Sequence, residues 1–256
     1  MSIRIRKVVT VTYLIDILAS ISKIFINFAE TNYVYLLQLS TMIDNKSIAK
    51  IILPEPTISR LPWYLSYLTM QQSRNVEYVS STQIAKDINV DASQIAKDLS
   101  FLNIKGKTRI GYEVNDLVNV LVDFLGFKKQ HNAFMIGVGS LGKALIQDSG
   151  LMQFGLNIVA GFDVNPTLIG TRIADVPIYS MDELDERQKE LETEIGILAV
   201  PAEYAQDATD TMIACGIQAI WNFTPSRIKA SNEIVIQNTS IYAHLAVMYN
   251  RLEERK

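Results

Sequence analysis

At 256 residues, 48% hydrophobic and 20% charged, the chain is long enough to bury one large core or two modest ones. Cys215 is the only cysteine, and His131 and His244 are the only histidines, which excludes an intrachain disulfide and a Cys- or His-built metal cluster, so no metal site is expected. The net charge is only −3, but residues 1–131 hold 15 Lys/Arg against 11 Asp/Glu, whereas residues 132–256 hold 9 against 16. A basic front joined to an acidic back fits a front module that meets a polyanion, although a solvated surface gives the same imbalance.

The first forty residues stand apart. Val8–Ala29 is rich in Val, Ile and Leu behind Arg4, Arg6 and Lys7, but Asp16, Lys23 and Asn27 interrupt it and no small-residue cleavage site follows. It reads neither as a transmembrane span nor as a signal peptide. Residues 1–50 are taken as an N-terminal extension with no assigned role, and Met42 as a candidate biological start. A cytoplasmic, reducing compartment and no membrane partner are expected.

Residues 57–126 read as mostly helical, beginning with Ile58, Leu61, Leu65 and Leu68 at helical spacing. Pro62 suits a first turn and is awkward any deeper. Ser80-Ser81-Thr82-Gln83 and Asp91-Ala92-Ser93-Gln94 each place a capping residue three positions before a Gln. They lead into Ile84, Ala85 and Ile88, and into Ile95, Leu99 and Leu102. With only Asn89-Val90-Asp91 between them, the pair predicts a helix-turn-helix. Its second helix would then lie in the DNA major groove with Ser93, Gln94 and Lys97 facing base edges. Lys105-Gly106-Lys107-Thr108-Arg109-Ile110-Gly111-Tyr112 follows as the wing of a winged helix, its cations Lys105, Lys107 and Arg109 placed to meet phosphates. A helical hairpin with a solvated basic loop is the alternative. Val114, Leu117, Val118, Leu121, Val122 and Leu125 then form one apolar stripe, and Gly126–Asn132 reads as a linker.

The back half opens on Ala133-Phe134-Met135-Ile136, a buried strand, then Gly137-Val138-Gly139-Ser140-Leu141-Gly142, then a helix from Lys143. Strand, glycine turn and helix in that order form the context that a dinucleotide fingerprint requires. The helix N-terminus would offer N–H groups to a pyrophosphate. A second strand, Asn157–Phe162, ends at Asp163, whose carboxylate is placed to accept from an adenosine ribose and to repel a 2′-phosphate, so NAD(H) is the expected cofactor. Met181–Glu194 predicts an acidic helix, Ile195–Pro201 a strand, Ala202–Cys215 a helix, Ile217–Phe223 a strand and Ile234–Ile236 a last one. Such alternation indicates a doubly wound parallel sheet of Rossmann type. Strand ends at Val200-Pro201 and at Asn222 to Pro225 are expected to hold the nicotinamide half, although proline-terminated strands are also ordinary architecture. Ile241, Leu245, Met248 and Leu252 form a stripe on a terminal amphipathic helix that must dock on its own domain or on a partner.

These residues resemble the Rex family of bacterial redox-sensing transcriptional repressors over about Pro54–Leu252. The marks are Arg60-Leu61-Pro62-x-Tyr64, Val79-Ser80-Ser81, Lys97-Asp98-Leu99-Ser100, Gly111-Tyr112, the glycine fingerprint, Phe162-Asp163, Val200-Pro201-Ala202, Ala205-Gln206, Gly216-Ile217 and Asn222-Phe223-Thr224-Pro225. The resemblance implies an α/β protein: a winged-helix domain (51–126), a Rossmann NAD(H)-binding domain (132–240) and a C-terminal helix (241–256) exchanged between subunits of a homodimer. It implies no enzyme activity, but operator DNA held when NADH is scarce and released when NADH binds. By the same resemblance Ser80, Ser100 and Tyr112 join the DNA-binding set, and Arg60, Asp148 and His244 form the switch between cofactor and domain angle. Three features depart from the family pattern: Ala96 stands where an Arg usually precedes the recognition-helix Lys, the wing carries Thr108-Arg109-Ile110, and the family's Arg–Tyr–Asp switch set is met here by Arg60 with Asp148 and His244 at the aligned positions. The alternatives are a divergent paralogue with altered or lost operator recognition, and an NAD-dependent dehydrogenase, for which the 33 residues after Phe223 leave no room for a substrate domain.

Overall fold

A computed structural model describes residues 53–255. The expectations for residues 1–50, Met42 included, lie outside the described residues. The described residues divide into two compact units, residues 53–59 with 97–104, and residues 60–96 with 105–255.

In the first unit, helix α1 (Glu55–Ser73) begins and helix α3 (Ala92–Phe101) ends. Thr57 and Asp98, both buried, meet there: Thr57 Oγ1 donates to Asp98 Oδ1 at 3.1 Å. Leu99 and Leu102 are buried, and the N–H groups of Leu102 and Ile104 both close on the Leu99 carbonyl to end the helix.

The second unit holds the rest of α1, where Leu61, Tyr64, Leu65 and Leu68 are buried. Ile58, expected on that stripe, is 40% exposed. Pro62 sits well inside the helix rather than in its first turn. It has no N–H for the Ile58 carbonyl, and the exposure of Ile58 lets water serve that group instead.

Helix α2 (Ser81–Ile88) follows the short strand β1 (Tyr78–Val79), and its cap is as expected, Ser80 Oγ accepting the Gln83 N–H at 3.0 Å. The reciprocal half of the capping box does not form. The Gln83 amide instead runs forward to Asp87 Oδ2 at 2.8 Å, because Tyr67 Oη holds that carboxylate at 2.7 Å on the same face. Asn89 ends the helix at φ 55°, a left-handed position that Asn tolerates. Asp91 Oδ1 then caps α3, accepting from the N–H groups of Ser93 at 2.7 Å and Gln94 at 3.3 Å. After α3 the chain makes a tight hairpin closed between Lys107 and Gly111. Strand β2 (Tyr112–Glu113) pairs antiparallel with β1, and helix α4 (Val114–Phe124) buries Val114, Leu117, Val118 and Leu121. The wing is thus a real hairpin standing on a two-stranded ribbon.

The sheet that follows has strands β3 (His131–Ile136), β4 (Leu156–Asp163), β5 (Arg172–Ile173), β6 (Val176–Ser180), β7 (Ile195–Leu198), β8 (Ala219–Asn222) and β9 (Val235–Asn238). Its order is β5-β6-β4-β3-β7-β8-β9, all pairs parallel except β5 with β6. The six parallel strands therefore lie third-second-first-fourth-fifth-sixth, the dinucleotide-fold order. Alternate residues of β3 feed two cores. Phe134 and Ile136 pack with Leu184 and Met212 on one face, while Ala133 and Met135 pack with Ile146 on the other. Helices α7 (Leu184–Leu191) and α8 (Ala205–Ala214) thereby cover the first face and α5 (Ser140–Gln147) the second. The expected linker ends early, since His131 and Asn132 already belong to β3. The expected acidic helix opens as a 3-10 turn (Met181–Glu183), with a full capping box between Ser180 and Glu183. Short helix α6 (Ser149–Gln153) and the β5–β6 hairpin were not foreseen. Helix α9 (Ile241–Glu253) closes the chain, capped by Ser240 and exposed along its length.

Candidate functional site

A cleft of about 540 Å³ opens at the carboxyl ends of β3, β4 and β7. It sits between β3 and β7, where the strand order reverses, the position at which open α/β sheets bind ligands. The glycine turn forms its floor. Gly137 takes φ +89°, and a Cβ there would come within 2.6 Å of the Ala199 carbonyl oxygen. A Cβ at Gly142 would stand 2.2 Å from the Gly137 carbonyl oxygen, so close helix–strand packing requires glycine. At Gly139, by contrast, a Cβ would meet nothing within 4 Å. Gly139 is also the N-cap of α5, so the first N–H groups of that helix receive no side-chain cap.

Asp163 lies half-buried at the end of β4. Its Oδ2 accepts the Val138 N–H at 2.7 Å, and its Oδ1 accepts the Asn165 N–H at 2.8 Å. The Val138 N–H is therefore given to Asp163. Each carboxylate oxygen keeps a lone pair for a further donor. Gly137, Gly139, Asp163, Val200 and Pro201 line the cleft; Val138, Ser140, Leu141 and Gly142 belong to the turn without lining it.

Asn222 and Pro225 do not line the cleft either. Asn222 is fully buried, and its amide is spent inside the fold. Nδ2 donates to the Ser226 carbonyl and to Asn238 Oδ1, each at 2.8 Å, while Oδ1 accepts from the N–H and hydroxyl of Thr224. All four hydrogen-bonding capacities are taken, so this side chain clamps the β8–β9 corner and has nothing left for a ligand. The unforeseen part of the cleft is its far wall, made by Met181 after β6, by Tyr204 just before α8 and by Asp207, Ala208 and Thr211 on α8. Only the strand order brings these together, and no local motif marks them.

On helix α3 Lys97 is exposed and Gln94 half-buried, and in the wing Lys105, Lys107 and Arg109 are exposed and Tyr112, at its base, half-buried. Lys107 folds back so that Nζ donates to Tyr78 Oη at 2.8 Å, and that contact holds its ammonium pKa above the ordinary lysine value. The expected serines are partly committed. Ser93 Oγ donates to Asp91 Oδ1 at 2.5 Å and Ser100 Oγ to the Lys97 carbonyl at 2.7 Å, whereas Ser80 Oγ accepts in its cap and keeps its proton. The hydroxyl and N–H groups of Ser93 and the Gln94 N–H hold the Asp91 carboxyl below its usual pKa. Burial, then the Asp87 carboxylate, pushes the Tyr67 phenol up to about 12.

The expected switch residues are engaged locally. Asp148 Oδ1 caps α6 through the Gly150 N–H at 2.8 Å, and His244 Nδ1 lies 2.9 Å from the Ser240 carbonyl oxygen. Arg60 is half-buried on α1. Among the described residues, no group of three or more His, Cys, Asp or Glu could hold a metal ion, and no helix is long and apolar enough to cross a membrane.

Comparison with known proteins converges on this arrangement. Residues 52–100 match the family described as "Putative DNA-binding protein N-terminus", and residues 128–226 the family described as "CoA binding domain". The redox-sensing transcriptional repressor Rex of Bacteroides fragilis is 58% identical over 214 residues, covering 84% of this chain and 96% of that protein. The solved structure of RSP in complex with beta-NAD+ and operator DNA aligns with a TM-score of 0.76 at 33% identity, covering 80% of this chain and 94% of that one. RSP in complex with beta-NADH aligns with a TM-score of 0.72 at 34% identity, covering 80% and 96%. A capped helix-turn-helix with its wing, a glycine turn closed by Asp163, and identity of this extent place the chain in the Rex family of redox-sensing transcriptional repressors.

Proposed function

We propose that this protein is a repressor that holds operator DNA and lets go when NADH occupies the cleft above the glycine turn. The observation that carries the reading is the open space at Gly139 beside the Asp163 carboxylate, in a chain that also bears a winged helix. The α5 N-terminus and the backbone at Gly139 would hold the pyrophosphate, and Asp163 the adenosine ribose, with its charge turning away NADP(H). Val200 and Pro201 would meet the nicotinamide half, which supplies the redox signal and undergoes no reaction here. RSP, a relative solved once with beta-NAD+ and operator DNA and once with beta-NADH, supports both ligands.

Gln94 and Lys97 on α3 would face base edges, and Lys105, Lys107 and Arg109 the phosphates. Helix α9 exposes Ile241, Leu245, Met248 and Leu252, the stripe by which two copies would pair and exchange helices. NADH moves the equilibrium only as far as it binds the DNA-free arrangement more tightly than the DNA-bound one. Arg60, Asp148 and His244 would report the cofactor to the domain angle. The domains would run 51–126, 132–240 and 241–256. The protein would work in the cytoplasm as a regulator, not as an enzyme.

A gel shift on the protein's own upstream regions, with NADH and NAD+ titrated separately, tests the reading. NADH is expected to release the fragment and NAD+ to leave it bound. Retention that ignores both nucleotides would overturn the proposal. Ala96 and the Thr108-bearing wing favour an operator preference that differs from those of other family members, and selection from a random DNA pool measures it.

A further inference from the structure

The far wall of the cleft carries one charged side chain to which the reading above gives no task. Asp207 and Thr211 of helix α8 line the cleft together with Phe162, Val164 and Met181, which flank Asp163 and its β6 partner Ser180 at the end given to the adenosine. Several neighbouring polar groups are committed within the helix and its flanks. Thr211 Oγ1 donates to the Asp207 carbonyl at 2.8 Å. Gln206 Nε2 donates to Asp210 Oδ1 at 2.8 Å and to the Lys229 carbonyl at 2.9 Å, and its Oε1 accepts the Lys229 N–H at 2.8 Å. The Asp207 carboxylate has no hydrogen bond or ion pair to any described residue.

A carboxylate only accepts hydrogen bonds, so its fitting ligand must donate. Of the parts of a nicotinamide adenine dinucleotide, the ribose falls to Asp163 and the phosphates to the glycine turn. The remaining donor at the adenosine end is the 6-amino group of the base. We propose that Asp207 reads the base, accepting from the 6-amino group of adenine, so that the cleft selects adenine over a 6-oxo purine. This rests on the NAD(H) reading of the cleft. A 6-oxo purine sets an acceptor oxygen where the amine would be, lone pair against carboxylate, and a site built to pair a donor rejects the analogue that lacks it.

The test uses the full chain and Asp207→Asn, titrated by nicotinamide fluorescence with NADH and with reduced nicotinamide hypoxanthine dinucleotide. The parent chain is expected to bind NADH about tenfold more tightly than the hypoxanthine analogue, far less than a buried hydrogen-bonding site achieves because Asp207 is exposed. In Asp207→Asn that ratio should fall toward one, because a carboxamide can both donate and accept. A ratio near one in the parent chain, an unchanged ratio in the variant, or loss of both ligands by the variant would each overturn the assignment of Asp207 while leaving the cofactor reading in place. Failure of the parent chain to bind NADH at all would overturn the cofactor reading, and this inference with it.

Discussion

Asp163 and Val138 are 25 residues apart in sequence, yet Asp163 Oδ2 accepts the Val138 N–H at 2.7 Å. The carboxylate at the end of β4 therefore shapes the glycine turn at the end of β3 before it touches any ligand. One side chain does two things: it holds the floor of the cleft and aims its free lone pairs at the space above.

Asp163→Ala should lose both roles. NADH affinity is expected to fall ten- to a hundredfold, the worth of about 1.5–3 kcal/mol for hydrogen bonds to a charged group. Asp163→Asn keeps one acceptor for the Val138 N–H but drops the charge, so its preference for NADH over NADPH should shrink. Fluorescence titration with both nucleotides separates the two outcomes.

The two outer glycines of the turn and its middle one should fail differently. Gly142→Ala places a Cβ 2.2 Å from the Gly137 carbonyl oxygen, and the helix must shift. A loss of about 1–3 kcal/mol in stability is expected, seen as a lower thermal midpoint. Gly139→Ala meets nothing within 4 Å, so its midpoint should match that of the parent while NADH binding weakens. Calorimetry beside a binding titration tells them apart.

Thr57→Val removes the hydroxyl donor from the buried Asp98 carboxylate while keeping the volume. The cost is about 1–3 kcal/mol, and it falls on the helix that carries Lys97. Operator affinity should drop, NADH affinity should not, and Thr57→Ser should recover most of the loss. Equal weakening of both ligands would mean that the bond serves the whole fold rather than the reading helix.

Lys105→Ala and Arg109→Ala should each weaken operator and nonspecific DNA about equally. Each should also reduce the slope of log affinity against log salt by about one, the signature of a lost phosphate contact. A loss confined to the operator would move that residue from the backbone to a base edge.

The Tyr67–Asp87 pair predicts an alkaline limit. The Tyr67 phenol is raised to about 12 in the folded chain against about 10 unfolded, so between those values the native state holds a proton that the unfolded state has lost. Stability from this group is complete below pH 10 and is lost as pH rises toward 12. Melting curves from pH 9 to 12 should fall more steeply for the parent than for Tyr67→Phe.

Much of this was legible in the chain because it is local. Ser80 and Asp91 announce their helices through hydrogen bonds to N–H groups two or three residues ahead, and Asn89 turns left-handed between them. Buried β3 and the glycine turn need nothing beyond their own neighbours to be recognised. Which of several partners a polar side chain takes was not legible in the same way. Gln83 prefers Asp87 to its own cap, and Asn222 spends its amide on Ser226, Thr224 and Asn238 instead of facing the cleft.

Element type, the glycine turn and the capped helix pair were settled along the chain, because periodicity, caps and turn chemistry act over a few residues. Which side chains share the cleft was settled by folding: Met181, Pro201 and Asp207 meet Asp163 only because β6, β4, β3 and β7 lie side by side in an order that differs from their order in the chain. Burial and hydrogen-bond competition among residues distant in sequence made that choice, and no local pattern records it.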